Sequence, residues 1–308
     1  MNTSQGTRAK PAGPGLRSVQ EAIARALGEH LPGGVRTGEL DRDGRALRWV
    51  EAGRGGAVPV VLIAGAGTSA LTWSAVLPEL ARYGRVVAYD RAGLGASEPE
   101  RSTAPTLNGQ LADLAALVRH LDAGPALLVG HSWGGQLARL LAWQRPELVA
   151  GLVLVDPAHE EFQPRSIQVA EAVLNRLWLY RTALSPASPV PEEPLARAEA
   201  AVIAHRHQRR ALLAELGLTA AAVPEIRRRR AGAPPPEAPL AVLSATRGLP
   251  RAMRARWTAL QEGLARNAVR GTHGTVPGAG HAIQADRPQA VVSAVREVAD
   301  RARYFLQD

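Results

Sequence analysis

Short, unbroken apolar runs alternate with longer stretches of helical periodicity along most of this chain. The runs are Val58 to Ile63, Val86 to Tyr89, Ala126 to Val129, Leu152 to Val155 and Leu240 to Leu243. Each is too short for a helix and too uniformly apolar to keep one face in water, which predicts strands covered on both sides. Between them, apolar residues recur every three or four positions. Leu107, Leu111, Leu114, Val118 and Leu121 predict a helix capped by Thr106, and Leu137, Leu140, Leu141 and Trp143 predict another over Gln136 to Arg145. Further helices are expected over Trp73 to Leu80, Arg251 to Arg266 and Pro288 to Phe305, the last with Val291, Val292, Val295 and Val298 inward. Near the start, Val19, Ile23, Leu27 and Leu31 suggest a short helix, and Leu40 to Ala52 a hairpin about Asp41-Arg42-Asp43-Gly44. A late strand ends near Val276.

The alternation breaks once. From Ala158 to Ala238 the pattern is helical, punctuated by proline and rich in arginine. Repeated strand–helix units imply an α/β fold with a mostly parallel sheet wrapped by helices, and the break marks a helical insertion. The expected organisation is a flexible tail and short helix over 1–35, a core made of 36–157 and 239–308, and an inserted cap over 158–238.

Composition narrows the chemistry. Among 308 residues, 46% are hydrophobic but only 4% aromatic, so alanine, leucine and valine must fill the core. There is no cysteine, which excludes disulfides, thiolate metal sites and cysteine nucleophiles. The net charge of +9 is carried by arginine, with Lys10 the only lysine. That bias has the look of GC-rich coding, and no nucleic-acid partner is expected from it. The first fifteen residues lack an apolar segment flanked by positive charge, and no apolar run is long enough to span a bilayer. A soluble, cytoplasmic protein is the expectation, with oligomeric state left open.

The candidate chemistry centres on Gly130-His131-Ser132-Trp133-Gly134. A buried strand runs into this pentapeptide and an amphipathic helix leaves it. A serine on so tight a turn is forced outward, its neighbours at two before and two after must be small, and the helix start turns free N–H groups toward a developing oxyanion. Three further strand ends carry turn motifs: Ala64-Gly65-Ala66-Gly67, Asp90 to Ser97 with the pattern Asp-x-x-Gly-x-Gly-x-Ser, and Gly278-Ala279-Gly280-His281.

These four pieces, in this order, resemble the α/β-hydrolase superfamily from about Leu40 to Leu306, with the insertion standing where that family places its cap. The resemblance implies an α/β-hydrolase fold, Ser132 as nucleophile and His281 as its base. The chemistry needs such a pair, since a serine hydroxyl is a poor nucleophile until an imidazole removes its proton. Of eight histidines, His131 should point away from the site, and His205 and His207 look solvated. His159 and His273 are harder to set aside. His281 alone lies in a glycine-bounded loop after a late strand.

The acid departs from the family's commonest pattern. After the strand that follows the insertion stand Ser244-Ala245-Thr246-Arg247-Gly248, with no carboxylate. A branch of the superfamily carries its acid one strand earlier, and the string Leu-Val-Leu-Val-Asp-Pro-Ala-His, with a later helix bearing Trp257 and Gln261, resembles that branch. Asp156 is therefore the implied acid, with Glu160 and Glu161 as fallbacks; Asp90 belongs to a structural turn. The same resemblance implies main-chain N–H groups of Ala66 and Trp133 as the oxyanion hole. The family often has His-Gly where this chain has Ala64-Gly65. Phe162, Trp178 and Tyr180 are candidate substrate-lining residues of the cap, although their helical spacing suits core packing equally. No metal or cofactor set is evident. The basic run Arg227 to Arg230 reads as a solvated helix face.

The expected function is a cofactor-independent serine hydrolase acting on a small, largely apolar carboxylic ester, thioester or lactone. Two alternatives stay open: a non-hydrolytic enzyme of the same fold (acyl transferase, lyase, perhydrolase or cyclase), and a ligand-binding protein on this scaffold. Aspartate-nucleophile chemistry, as in dehalogenases and epoxide hydrolases, is disfavoured by the serine at the elbow.

Overall fold

The computed structural model describes residues 15–29, 31–56, 58–100, 104–164, 191–232, 234 and 236–305. These residues build one eight-stranded sheet. Its strands are β1 (Arg36–Arg42), β2 (Arg45–Ala52), β3 (Val60–Ile63), β4 (Val86–Tyr89), β5 (Ala126–His131), β6 (Val149–Val155), β7 (Leu240–Ala245) and β8 (Gly271–Val276). The spatial order is β1-β2-β4-β3-β5-β6-β7-β8. The first hairpin is antiparallel and joins β4 antiparallel; every later pairing is parallel.

The helices are α1 (Leu16–Gly28), α2 (Leu77–Leu80), α3 (Leu107–His120), α4 (Trp133–Gln144), α5 (Pro194–Ile203), α6 (Arg206–Ala221), α7 (Val223–Ala231), α8 (Arg251–Arg266), α9 (Ile283–Asp286) and α10 (Pro288–Phe305). The apolar strands are buried along their whole length because side chains alternate between two cores. Val60, Leu62, Leu127, Val129, Val153 and Val155 face a cluster closed by α1 and α10. Val61, Ile63, Ala126, Leu128, Leu152 and Leu154 face the opposite cluster, closed by α3, α4 and α8.

Most expected elements form with small boundary shifts. The exception is the stretch from Trp73 to Leu80, which splits into a 3₁₀ turn over Ala70–Trp73 and the single helical turn α2. Pro78 at the second helical position leaves the preceding residues without a continuous helix. Thr106 caps α3 as expected, its hydroxyl accepting from the Gly109 N–H.

Between β6 and β7 the chain is irregular over 156–164, where the sequence pattern predicts helix from Ala158, and α5, α6 and α7 then straddle the sheet. Ala198 and Val202 of α5 join α1 in the first core, so Val19, Ile23 and Leu27 are buried there at about 1.5–3 kcal/mol each. Ala222 and Ile226 join the second core beside α3 and α4. Between them, α6 crosses the carboxyl edge of the sheet, with Leu212 against Gly67 and Ala211 against Gly93. Among the described residues, no helix is long and apolar enough to cross a membrane.

Candidate active site

Ser132 stands where β5 turns into α4, with φ 50° and ψ −115°. An L-residue rarely adopts such a conformation, and the surroundings hold it there. The Ser132 N–H donates to the Val155 carbonyl at 3.1 Å, while its own carbonyl accepts from Gly135, Gln136 and Ala158. The flanking glycines are required by contact. A Cβ on Gly130 would run into the Gly134 backbone, and one on Gly134 into the carbonyls of Ile63 and Ala64.

Asp156 ends β6 and lies at the same edge. Its φ is 42°, a left-handed conformation that aspartate tolerates better than most residues. Oδ2 accepts from Nδ1 of His281 at 2.6 Å. Oδ1 accepts from the Ala245 N–H at 3.0 Å, Trp257 Nε1 at 2.8 Å and Gln261 Nε2 at 3.1 Å. Burial pushes this carboxyl up, but the bond and charge of His281 and the donors on Oδ1 outweigh it, leaving it below the ordinary aspartate value. The His281 side chain is about half exposed (53%), whereas that of Asp156 is 3% exposed. The acid is sheltered and the imidazole reaches outward.

His131 does not simply turn away. Its Nε2 donates to the main-chain carbonyl of His281 at 2.9 Å, and the two rings lie 4.7 Å apart. Burial, with His281 adding to it, pushes the His131 imidazole down to about 3, so it stays neutral near pH 7. It braces the loop that carries His281. His159 is buried, and its Nδ1 accepts from the Glu161 N–H. His273 contacts Ser244 Oγ at 2.8 Å. That hydroxyl donates to Gln261 Oε1 and so orients the glutamine that holds Asp156. His205 and His207 are not solvated as expected: their Nε2 atoms are buried and their rings lie 5.2 Å apart.

The loop Ala64 to Gly67 lies against the serine; a Cβ on Gly65 would sit 3.5 Å from the Ser132 Cβ. Arg91 holds this loop, donating to the carbonyls of Ala64 at 2.7 Å and Gly65 at 2.6 Å. Glu215 of α6 pairs with Arg91 and accepts the Gly67 N–H at 2.6 Å. Gln110 of α3 donates to Glu215 at 2.5 Å and accepts from Trp133 Nε1 at 2.8 Å. The N–H of Trp133 is the first of α4, where a helix offers no partner.

The fallback acids are engaged elsewhere. Glu160 is buried between Arg139 at 2.5 Å and Arg230 at 3.1 Å, and Glu161 pairs with Arg227 at 2.9 Å. Part of the basic run therefore docks α7 onto the core. Asp90 accepts from the N–H groups of Ala70 and Ala96, which locks its turn; burial pushes it up to about 6. Phe162 stacks edge-on against Trp257, 4.7 Å between centroids, and Trp257 lies 6.3 Å from the His281 ring. Trp178 and Tyr180 lie outside the described residues. Among the described residues, no three His, Cys, Asp or Glu side chains cluster as a metal-binding set.

Sequence reasoning missed the partners Gln110 and Glu215. Gln110 had a signal: it falls on the inward face with Leu107, Leu111 and Leu114, where a polar side chain must find a buried partner. Glu215 sits among leucines of the insertion, and nothing local says which face of α6 meets the core.

The sequence profile described as the alpha/beta hydrolase family matches residues 60–294. One relative is the dihydrolipoyllysine-residue acetyltransferase component of the acetoin cleaving system of Pseudomonas putida. It is 39% identical over 119 residues, 37% of this chain and 31% of that protein. Another is epoxide hydrolase A of Mycobacterium tuberculosis, 38% identical over 116 residues, 37% of this chain and 35% of that protein. In both, the match spans about a third of the relative's length. A solved epoxide hydrolase without ligand superposes with a TM-score of 0.66 at 22% identity, covering 86% of this chain and 98% of that one. That likeness shows the fold.

Proposed function

This chain belongs to the alpha/beta hydrolase family, and on that footing we propose that it is a serine hydrolase of a small, largely apolar carboxylic ester, thioester or lactone. The observation that carries the reading is the 2.6 Å bond from His281 to a sheltered Asp156, beside a serine held in a left-handed turn. A carboxylate that accepts the Nδ1 proton leaves Nε2 unprotonated and basic, which is what the Ser132 hydroxyl needs. In this reading His281 takes the Ser132 proton as the hydroxyl attacks the carbonyl. The oxyanion forms between the N–H groups of Ala66 and Trp133. His281 then returns the proton to the leaving group, and water repeats the sequence on the acyl-enzyme.

The described helices between β6 and β7 act as a cap over this edge, within an insertion spanning 158–238, and Phe162 lines the approach to His281 with Trp257. The substrate is a small molecule met in the cytoplasm. Chemistry starting from a carboxylate nucleophile would need an acid at position 132, which the serine does not supply.

The test is intact mass after incubation with a fluorophosphonate, beside a Ser132→Ala control, followed by a panel of p-nitrophenyl esters and an aryl epoxide. One adduct on the wild type, none on the control, and ester turnover support the reading. An unlabelled, folded wild type that opens the epoxide refutes it. Acyl transfer is the second reading, favoured by the acetyltransferase-component relative. A thiol or alcohol acceptor that captures the acyl group in preference to water would establish it.

A further inference from the structure

Glu215 is 2% exposed, carries a charge, and arrives from the insertion. Its two carboxylate oxygens accept four hydrogen bonds: from Gly67 N–H, from Arg91 Nε and Nη2, and from Gln110 Nε2. Every group it holds touches the loop after β3 or the turn that carries Ser132. A buried ion pair is weak evidence of a stabilising role, since desolvation offsets most of its attraction. The placement of these bonds requires another account.

Peptide geometry supplies it. The Gly65 carbonyl and the Ala66 N–H belong to one planar trans peptide, so they point in opposite directions. Arg91 Nη2 binds the Gly65 oxygen at 2.6 Å, and Nη1 binds the Ala64 oxygen at 2.7 Å. Drawing the Gly65 carbonyl into the Arg91–Glu215 cluster turns the Ala66 N–H out of it. Glu215 fixes Arg91 through two bonds and pins the next N–H, that of Gly67, to itself. The Ala66 donor is thereby left free between two anchored peptides. Through Gln110 the same carboxylate reaches Nε1 of Trp133, whose main chain supplies the other proposed donor.

We propose that Glu215 is a positioning residue for the oxyanion hole: with Arg91 and Gln110 it sets the Ala66 and Trp133 N–H groups before substrate arrives, and so ties catalytic competence to docking of the cap helix α6. The inference rests on the serine-hydrolase reading above.

The experiment measures kcat and KM for p-nitrophenyl butyrate in wild type, Glu215→Gln, and the double variant Arg91→Met with Glu215→Leu, with thermal melts of each. An amide at 215 must present N–H groups to part of a ring of four donors, which loosens the loop. A donor displaced by a fraction of an ångström is expected to lower kcat by about 10–100-fold. KM should change less than about threefold, because the oxyanion exists only past the ground state. The double variant removes both charges and fills their volume with apolar atoms, so it should fold at least as well as Glu215→Gln. Its kcat should still fall by at least about tenfold. A double variant with wild-type melting and wild-type kcat would make the pair merely structural and overturn the proposal. So would a loss carried by KM alone. If the double variant does not fold, Glu215→Gln is judged by the same kcat criterion. A wild type that is neither labelled at Ser132 nor active on the ester sinks the parent reading instead, which separates the two failures.

Discussion

Replacing Asp156 by asparagine tests the proposed acid with almost no change of shape. Three donors converge on Oδ1, and none can reverse. The Ala245 N–H and Trp257 Nε1 only donate, and Gln261 Nε2 also donates to the Pro157 carbonyl, which fixes its amide orientation. An asparagine at 156 must therefore place its oxygen at the Oδ1 position and its NH₂ where Oδ2 meets His281 Nδ1 at 2.6 Å. That NH₂ donates, so Nδ1 must become the acceptor and the imidazole proton moves to Nε2. Nε2 then cannot take a proton from Ser132. The expected loss is about 10⁴ in kcat, or about 5 kcal/mol of transition-state stabilisation at 1.36 kcal/mol per tenfold. Folding should suffer far less, because the three bonds to Oδ1 survive; loss of one charge-assisted bond costs about 1.5–3 kcal/mol. The assay is kcat on a p-nitrophenyl ester with the fluorophosphonate labelling rate, read against thermal melting. Activity within about threefold of wild type in a folded Asp156→Asn protein would refute the tautomer argument and with it the assignment of the acid.

Three further outcomes are expected. Gly134→Ala drives a Cβ into the Ile63 and Ala64 carbonyls, so its melting temperature should fall by about 10 °C or more; a wild-type melt would mean the elbow backbone yields more easily than its packing implies. Burial raises the Glu160 carboxyl, but the charge of Arg139, with His159, a main-chain N–H and the bond from Arg139, more than offsets this, taking it from 4.5 to about 2. A lowered value means its contribution is complete above about pH 4.5 and is lost as the pH falls toward 2. Glu160→Gln should therefore cost about 3 kcal/mol at pH 7 in urea unfolding and flatten the acid limb, whereas an unchanged acid limb would contradict the pairing. Trp257→Phe removes one donor from Asp156 Oδ1 while keeping a ring against Phe162, and should lower kcat by up to about tenfold with little change in melting; a fall in stability with kcat intact would assign Trp257 to packing alone.

The division between sequence and tertiary structure follows the range of the forces involved. Apolar runs such as Val60–Ile63 and Ala126–Val129 announce buried strands because burial on both faces leaves no place for a polar residue, and that constraint is written residue by residue. The elbow is local at Gly130, whose Cβ would meet Gly134 and Gly135 within one strand–turn–helix unit, whereas Gly134 is constrained by Ile63 and Ala64 at the end of the neighbouring strand. Helix ends at Thr106 and Pro288 follow from capping and missing N–H groups a few residues apart.

What only the fold decided are contacts between residues far apart in the chain whose types are individually unremarkable. Glu215 meets Arg91 from 124 positions away, and Arg230 meets Glu160 from 70. A charged helix reads the same from sequence whether its charges face water or a buried partner, so Arg230 reads as solvated along with Arg227 and Arg228, and His205 and His207 read as exposed. Likewise the sequence places His131 pointing away from the site, and only the fold brings β5 beside the β8–α9 loop, where its Nε2 braces the His281 carbonyl. Local sterics and periodicity set the strands, the turn and the serine; the docking of the insertion, which no periodicity encodes, decided which polar side chains surround them.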